Sequence, residues 1–303
     1  MKAVVLHEYG GPEKLLWEDV DDPRPTEDEL LIHVSAAGIN PVDWKMRSGE
    51  AHGRFPVTFP GILGRDLSGV IREVGPRVKG FAPGDRVLAF THSTYAELAV
   101  TRAEETVKIP EGMDTAEAAA LPLVLLTGEQ LISRAVKIES GQTVLVTGAL
   151  GGVGRSAVWT AKKAGARVIA GVRKRQLKAA EELGADQVLA LDDEQALASL
   201  GFVDAVADVV GGEVAATLLG KVKPGGVFGS VVGMPSSAAL HPTVRVEAIM
   251  AKPDAAKLRE LAEDVQAKKL RIPIDRVIPM ADAGKGQAAA EKGGLAGKVL
   301  LIP

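Results

Sequence analysis

The sequence predicts an α/β chain in which a strand-rich, barrel-like unit is followed by a doubly wound parallel sheet. Three observations carry this reading. Residues 2–100 hold short apolar runs separated by Gly and Pro, the punctuation of a compact barrel or sandwich. From Asp114 onward, apolar strands alternate with helix-length segments. At 143–155 the stretch T-V-L-V-T-G-A-L-G-G-V-G-R runs a β-branched strand straight into glycines and then into a helix-capable segment.

In chain order, Val4–Leu6 is a first short strand, closed by the Gly10-Gly11-Pro12 turn. Leu30–Val34 is a second, after the acidic, Pro-bearing stretch Asp21–Glu29. Gly69–Val74 and Arg86–Ala89 follow, with Pro83-Gly84-Asp85 as the turn between them. Asp114 is an expected N-cap with Glu117 as its capping-box partner. Beyond it, strand 143–147 precedes helix 152–164, and strand 167–171 precedes helix 175–183. Val188–Leu191, Val203–Val209 and Val227–Val232 complete the expected parallel sheet. Lys257–Lys268 reads as an amphipathic helix with Leu258, Leu261, Ala262 and Val265 on one face. Lys298–Ile302 is a strand expected to rejoin the first domain. The expected domains are therefore 1–113 with 246–303, and 114–245.

Composition narrows the function. The absence of cysteine excludes disulfides, thiolate zinc sites and thiol nucleophiles. A net charge of −3 with mixed signs argues against general nucleic-acid binding. No 18-residue apolar window is free of charge or glycine breaks, and MKAVVLHEYG lacks a signal-peptide pattern. A cytoplasmic protein without membrane contact is expected.

The glycine stretch suits a diphosphate. Gly148 permits a tight turn, and Gly151 and Gly152 lack the Cβ that would hold a phosphate away. Gly154 lets helix pack on strand, and the helix N-terminus aims N–H groups and a positive dipole at the anion. The spacing is G-x-x-G-x-x-G rather than G-x-G-x-x-G. On its own, an ordinary strand-to-helix turn explains it as well.

Further motifs add context: GINPVDWKMRSG (38–49), ILGRDLSGVI (62–71), GDRVLAF (84–90), TYAELAV (94–100), KIPEGMDTAEAAALPLVLLTG (108–128), GALGGVG (148–154), PGGVFGSVVG (224–233) and GKVLLIP (297–303). In this order and spacing the chain resembles, end to end, a zinc-independent medium-chain dehydrogenase/reductase of the quinone oxidoreductase branch. The resemblance implies a GroES-like barrel completed by the C-terminal segment, with a Rossmann domain inserted and the cofactor in the cleft. It also implies a homodimer joined through Rossmann sheet edges. Residues 148–154 (Gly148, Ala149, Leu150, Gly151, Gly152, Val153, Gly154) then become a dinucleotide site.

NAD sites place a carboxylate about 20 residues past the glycines to bind the ribose hydroxyls. Here Arg173, Lys174 and Arg175 stand at that point, where a guanidinium would grip a 2′-phosphate. NADPH is the expected cofactor, although the cluster is also readable as a solvated helix start. Relatives often carry a Tyr on the adenine side near 191, and this chain has Leu191.

Zinc-dependent relatives place a Cys and a His where this chain has Asn40 and Arg65. The five histidines (7, 33, 52, 92, 241) show no paired spacing, and His33, in an apolar strand, is expected to be a core residue. No metal is expected, and Asp66 is expected to be structural. Without a Lewis acid, acceptors that are already electrophilic fit best: quinones and α,β-unsaturated carbonyls. Asn40, Lys45 and Tyr95 are the candidate catalytic residues, as donors to the acceptor oxygen or pocket groups. Two readings stay open for several positions. Asn40 is a donor or a helix cap. Lys45 is a proton donor or an exposed surface lysine. Trp44 lines the cleft or fills core, while Asp43 is read as structural. Thr127 lies beside the nicotinamide or caps a helix. Gly211, Gly212 and Gly233 open the backbone next to the cofactor or merely end strands. Lys298 reaches the cofactor or decorates the last strand. An enoyl-thioester reductase and a non-catalytic NADPH-binding structural or regulatory protein are the alternatives; a Rossmann-like methyltransferase is disfavoured by the preceding barrel.

Overall fold

The computed structural model describes residues 1–303. The chain divides into two compact units, Met1–Leu123 with Pro253–Pro303, and Val124–Lys252. The sequence puts the first boundary ten residues earlier. It moves because a 3-10 helix at Glu117–Ala120, capped by Asp114 Oδ1 on Glu117 N–H at 2.9 Å, packs its buried alanines on the strands of the first unit.

The first unit is built on strands β1 (Lys2–Leu6), β2 (Leu15–Asp19), β3 (Glu29–Gly38), β4 (Gly61–Ile62), β5 (Asp66–Val74), β6 (Arg86–Phe90), β7 (Leu98–Arg102) and β8 (Thr106–Lys108), with helix α1 at Pro41–Ser48. Helix α2 (Pro122–Gln130) then runs into a π-helical turn at Leu131–Val136. The stretch Glu117–Val136 is long and apolar enough to span a bilayer, but 78% of its apolar window is buried in the protein, as in a core helix.

The second unit alternates strand and helix: β9 (Thr143–Val146), α3 (Gly152–Lys163), β10 (Arg167–Val172), α4 (Leu177–Ala180, flanked by 3-10 turns), β11 (Gln187–Ala190), α5 (Glu194–Ser199), β12 (Val203–Asp208), α6 (Gly212–Leu219), β13 (Val222–Ser230) and β14 (Arg245–Ala248). All its pairings are parallel, in the order β11-β10-β9-β12-β13-β14. That is the 3-2-1-4-5-6 order of a doubly wound dinucleotide fold. Alternate residues feed opposite faces. Val144, Val146, Val168 and Ala170 join one apolar cluster with Ala157, Val158 and Ala161 of α3, while Leu145, Ile169, Val206 and Phe228 join another with Leu218 and Leu219 of α6.

The chain then returns to the first unit through α7 (Ala255–Gln266), β15 (Ile274–Pro279), α8 (Ala283–Lys292) and β16 (Lys298–Ile302). Leu258, Leu261 and Ala262 of α7 are buried, as the 3.6-residue period requires. β16 pairs antiparallel with β3, setting Leu300 against Gly38 and Leu301 against Ala37. The expected terminal strand is therefore part of the barrel sheet β15-β16-β3-β5-β6-β8.

Candidate functional site

In the second unit, the glycine turn leaves β9 at its carboxyl end. Gly148 takes φ +56°, a left-handed conformation that favours glycine. A Cβ on Gly154 would lie 2.2 Å from the Gly148 carbonyl oxygen, so α3 can approach the turn only with glycine there. Ala149 N–H donates to Gly171 O at 3.1 Å and Gly151 N–H to Gly148 O at 2.9 Å, which fixes the loop to its own start and to β10. Gly152 and Val153 begin α3, where N–H groups have no acceptor within the helix. Gly151 is exposed, with open space on one side. Free N–H groups, a bare backbone and the positive end of a 12-residue helix fit a diphosphate.

Two groups that sequence reasoning passed over hold this turn. Arg155 is buried; its Nε donates to Leu150 O at 2.9 Å and its Nη2 to Glu182 at 2.5 Å, clamping the turn to the segment after β10. Asp208, fully buried at the end of β12, accepts from Thr147 Oγ1 at 2.9 Å, from Ser230 Oγ at 3.0 Å, and from Val210 and Gly211 N–H at 3.1 Å each. One carboxylate thus ties together the ends of β9, β12 and β13, and it shapes the Gly211 turn (φ +75°). Its strand position, apolar on either side, was the available signal. Gly233 takes φ +124° with open space around it.

Arg173, Lys174 and Arg175 are all exposed at the end of β10. They are not equivalent. Lys174 Nζ pairs with Asp193 at 2.8 Å and its N–H donates to Asp192 at 2.6 Å, so it fastens the start of this segment to the loop after β11. The Arg173 N–H donates to Gln176 Oε1 at 3.1 Å, while the guanidinium groups of Arg173 and Arg175 enter no ion pair. Leu191 is buried and folds over Gly171, where a Cβ would meet it at 2.8 Å. Thr127 lies inside α2 rather than at its start. Pro122 opens the helix five residues earlier, and a carboxylate from a distant strand does the capping: Asp66 Oδ1 accepts Leu123 N–H at 2.7 Å.

The first unit gathers the other candidates into one buried network. Asn40 is wholly buried at the N-cap of α1. Its amide nitrogen donates to Asp66 Oδ2 at 2.8 Å and Gly38 O at 3.3 Å, and its Oδ1 accepts from Lys298 Nζ at 2.5 Å. Both amide hydrogens are spent, so the donor to an acceptor oxygen expected at this position has none to offer. The cap is made in the other direction: Asp43 Oδ2 accepts Asn40 N–H at 2.7 Å. Lys298 also donates to Ile39 O at 2.8 Å and lies 3.3 Å from Asp66 Oδ2. It is a partly buried cross-link, not decoration on the last strand. Tyr95 is fully buried rather than lining a pocket, and its hydroxyl donates to Asp43 Oδ2 at 2.8 Å. Burial raises Asp43 to about 6, against the Tyr95 and Asn40 hydrogen bonds that favour its charged form. Burial, then the Asp43 charge, pushes the Tyr95 phenol well above its ordinary value.

Lys45 stands apart from this network. It is half-buried and pairs with Glu50 at 3.0 Å, both on or just after α1. Trp44 is half-buried and packs on the core of the first unit. His33 is exposed, not a core histidine, because its side of β3 faces solvent while Ile32 and Val34 face inward.

Arg65 is among the residues whose buried polar atoms lack a partner. Its guanidinium lies 5.3 Å from the Phe55 ring centre and 5.4 Å from that of Phe90. Its Nε is buried with no hydrogen-bond partner. Burial lowers its pKa, with the Asp43 and Asp66 charges opposing. Stacking contributes roughly 0.5–2 kcal/mol per contact, and a desolvated charged donor left without an acceptor costs at least as much. Packing alone therefore does not account for an arginine here.

Two family models cover most of the chain: an alcohol dehydrogenase GroES-like domain over residues 26–111 and a zinc-binding dehydrogenase over 183–301. A chloroplastic quinone-oxidoreductase homolog of Spinacia oleracea is 39% identical over 62% of this chain and 60% of its own length, so the chain spans less than two thirds of that relative. A chloroplast envelope quinone oxidoreductase homolog of Arabidopsis thaliana is 31% identical over the whole of this chain and 98% of that one. The chain belongs to the medium-chain dehydrogenase/reductase superfamily, in its quinone oxidoreductase branch. Solved structures agree: the quinone oxidoreductase of Coxiella burnetii superposes with a TM-score of 0.89 at 29% identity over 100% of this chain and 99% of that one. A mycobacterial protein complexed with NADPH gives 0.88 at 27% identity, covering 100% of both.

One family model carries zinc binding in its description, and the site residues do not fit that metal. No group of three or more His, Cys, Asp or Glu side chains is placed to hold an ion. At the positions that match ligands of zinc-dependent medium-chain dehydrogenases, Asn40 is saturated by Asp66 and Lys298, and Arg65 brings a positive charge that repels a cation. The glycine turn of this quinone oxidoreductase branch member, by contrast, leads into a helix N-terminus whose N–H groups fit a diphosphate.

Proposed function

We propose that this chain is an NADPH-dependent oxidoreductase that reduces quinones or α,β-unsaturated carbonyls without a metal. The end of β10 carries the reading. The segment that ends β10 carries no carboxylate of its own to receive ribose hydroxyls, Asp192 and Asp193 of the next loop are bonded to Lys174, and Arg173 and Arg175 present guanidinium groups free of ion pairs. Bound NADPH supplies a hydride; the protein's work is to hold and orient. The N–H groups of Gly152 and Val153 and the α3 dipole receive the diphosphate, and Arg173 and Arg175 receive the 2′-phosphate. Asp208 keeps the Gly211 turn in place, and Lys174 is a fastener between β10 and β11. Gly148, Ala149, Leu150 and Gly154 shape the turn without offering charge. In the first unit, Asn40, Asp66 and Lys298 set the frame for α1.

Quinones and enones are electrophilic as they stand, so they need donors to the developing oxyanion rather than a Lewis acid. The names of the relatives, quinone oxidoreductase homologs in spinach and Arabidopsis and a quinone oxidoreductase in Coxiella, support that acceptor class. The proposed homodimer joins through the edge strand β14, beside which Met234, Leu240 and Met250 are exposed.

Fluorescence titration with NADPH and NADH tests the cofactor assignment. Removal of charge-assisted bonds to the 2′-phosphate is expected to weaken NADPH binding roughly 10- to 100-fold in an Arg173→Ser/Arg175→Ser variant, with NADH affinity unchanged. Equal affinity of the native protein for both dinucleotides would remove the basic rim from the argument.

A further inference from the structure

We propose that Arg65 is the group that receives the acceptor's oxygen, so that the acceptor is a planar, oxygen-bearing ring or enone held against Phe55 and Phe90. The inference rests on the reductase reading given above, and it replaces Asn40 and Lys45 as the donors at that oxygen. Four observations converge on it, all within the first unit.

The guanidinium carbon lies over two aromatic rings, 5.3 Å from the centre of Phe55 and 5.4 Å from that of Phe90. Cation–π contacts of this kind engage the charge of the group and leave its N–H donors available for hydrogen bonds. Those donors are unspent: the buried Nε has no partner, and no ion pair joins Arg65 to either neighbouring carboxylate. Asp66 is already engaged by Asn40, Lys298 and Leu123, and Asp43 by Tyr95 and the Asn40 amide. Lys298 already serves as the cation of Asp66, and Asp43 Oδ2 is taken by two neutral donors, so neither carboxylate is bound to the guanidinium.

The backbone nearby carries one strained residue: Ser93 adopts φ +56°, and the adjacent buried Thr94 hydroxyl also lacks a partner. Unsatisfied polar groups and strained residues gather where a protein is shaped for a ligand rather than for its own packing. Finally, the segment that supplies Phe55 is organised, not loose. The Tyr9 hydroxyl bonds His52 Nδ1 at 2.8 Å and receives Val57 N–H at 3.1 Å, and its ring packs edge-on against Phe59 at 4.8 Å.

In the reaction, hydride adds to a ring or β-carbon of the acceptor, the carbonyl π pair moves onto oxygen, and the guanidinium stabilises the resulting enolate or hydroquinone anion. Arg65 keeps its proton throughout. Water delivers the proton that completes the neutral product, so charge and electrons balance with one hydride and one proton.

The test uses binding and turnover on the full-length protein. The probe pair is 4-nitrophenolate and 4-nitroanisole, which share a ring and differ in the charged oxygen. Native protein is expected to bind the phenolate at least tenfold tighter than the anisole. Arg65→Met is expected to lose that preference, and Arg65→Lys, which keeps charge but not the stacked fork, to retain part of it. With 1,4-benzoquinone and NADPH, kcat/KM is expected to fall roughly 100-fold in Arg65→Met. Equal phenolate preference in native protein and Arg65→Met overturns the assignment, and so does a native protein that binds both probes alike; should Arg65→Met not fold, the same comparison is read on Arg65→Lys. If native protein turns over no quinone but shows Arg65-dependent phenolate binding, the reductase reading fails and the anion site stands.

Discussion

Lys298 and Asn40 lie 258 positions apart and are joined by a 2.5 Å bond from Nζ to Oδ1. The contact fastens the last strand to the N-cap of α1, with Asp66 as the counter-charge at 3.3 Å. Asp66 is fully buried, and Lys298 is the cation it pairs with. Lys298→Met is expected to cost about 3–5 kcal/mol, since it strands a buried carboxylate. Urea denaturation of the native protein and the variant measures it; a loss below about 1 kcal/mol would contradict the expectation.

Asp43 gives a pH signature. Its folded carboxyl is raised from 3.8 to about 6 by burial. Between those values the folded state holds a proton that the unfolded chain has released. The contribution to stability is therefore full below about pH 4 and lost as pH rises through about 6. Asp43→Asn cannot titrate. The stability difference between variant and native protein is expected to move in the variant's favour by up to about 3 kcal/mol from pH 4 to 7. A difference that stays flat across that range contradicts it.

Gly154 and Gly151 separate folding from binding. A Cβ on Gly154 meets a backbone oxygen at 2.2 Å, whereas one on Gly151 stands 3.3 Å from the same oxygen and is otherwise clear. Gly154→Ala is expected to lower the melting temperature by several degrees, the effect of about 1–3 kcal/mol of overpacking. Gly151→Ala is expected to melt near the native temperature and to bind NADPH at least tenfold more weakly, because the new methyl holds the diphosphate away. Melting curves and dinucleotide titration of the two variants decide this.

Lys45→Met probes the surface reading of that lysine. A surface pair with Glu50 contributes about 0–1 kcal/mol, so both stability and kcat on an enone are expected to stay within about twofold of native. A large loss of kcat would return Lys45 to the chemistry.

The doubly wound sheet was legible because its strands are apolar runs between helix-length segments, and β9 to α3 could be placed to within a residue or two. The glycine turn was legible for the same reason: Gly148 and Gly154 are required by geometry that sequence spacing already implies. Long-range partnerships were not. Nothing near Asn40 announces that Lys298, from the far end of the chain, and Asp66, from another strand, consume its side chain. Tyr95 reads as a pocket residue in TYAELAV until burial shows its hydroxyl turned onto Asp43. Within the basic cluster, residue type alone could not separate Lys174 from its neighbours, because Asp192 and Asp193 arrive from the next strand. Thr127 resembled a cap only while the cap supplied by Asp66 was hidden.

The central claim, that the chain is an NADPH-dependent reductase of electrophilic carbonyl acceptors, is tested most directly by NADPH oxidation at 340 nm with 9,10-phenanthrenequinone, 1,4-benzoquinone and a 2-alkenal. Saturable turnover with at least one acceptor is expected, with kcat/KM for NADPH at least tenfold above that for NADH. Tight NADPH binding with no oxidation by any of the three would contradict the claim and leave a dinucleotide-binding protein without this chemistry.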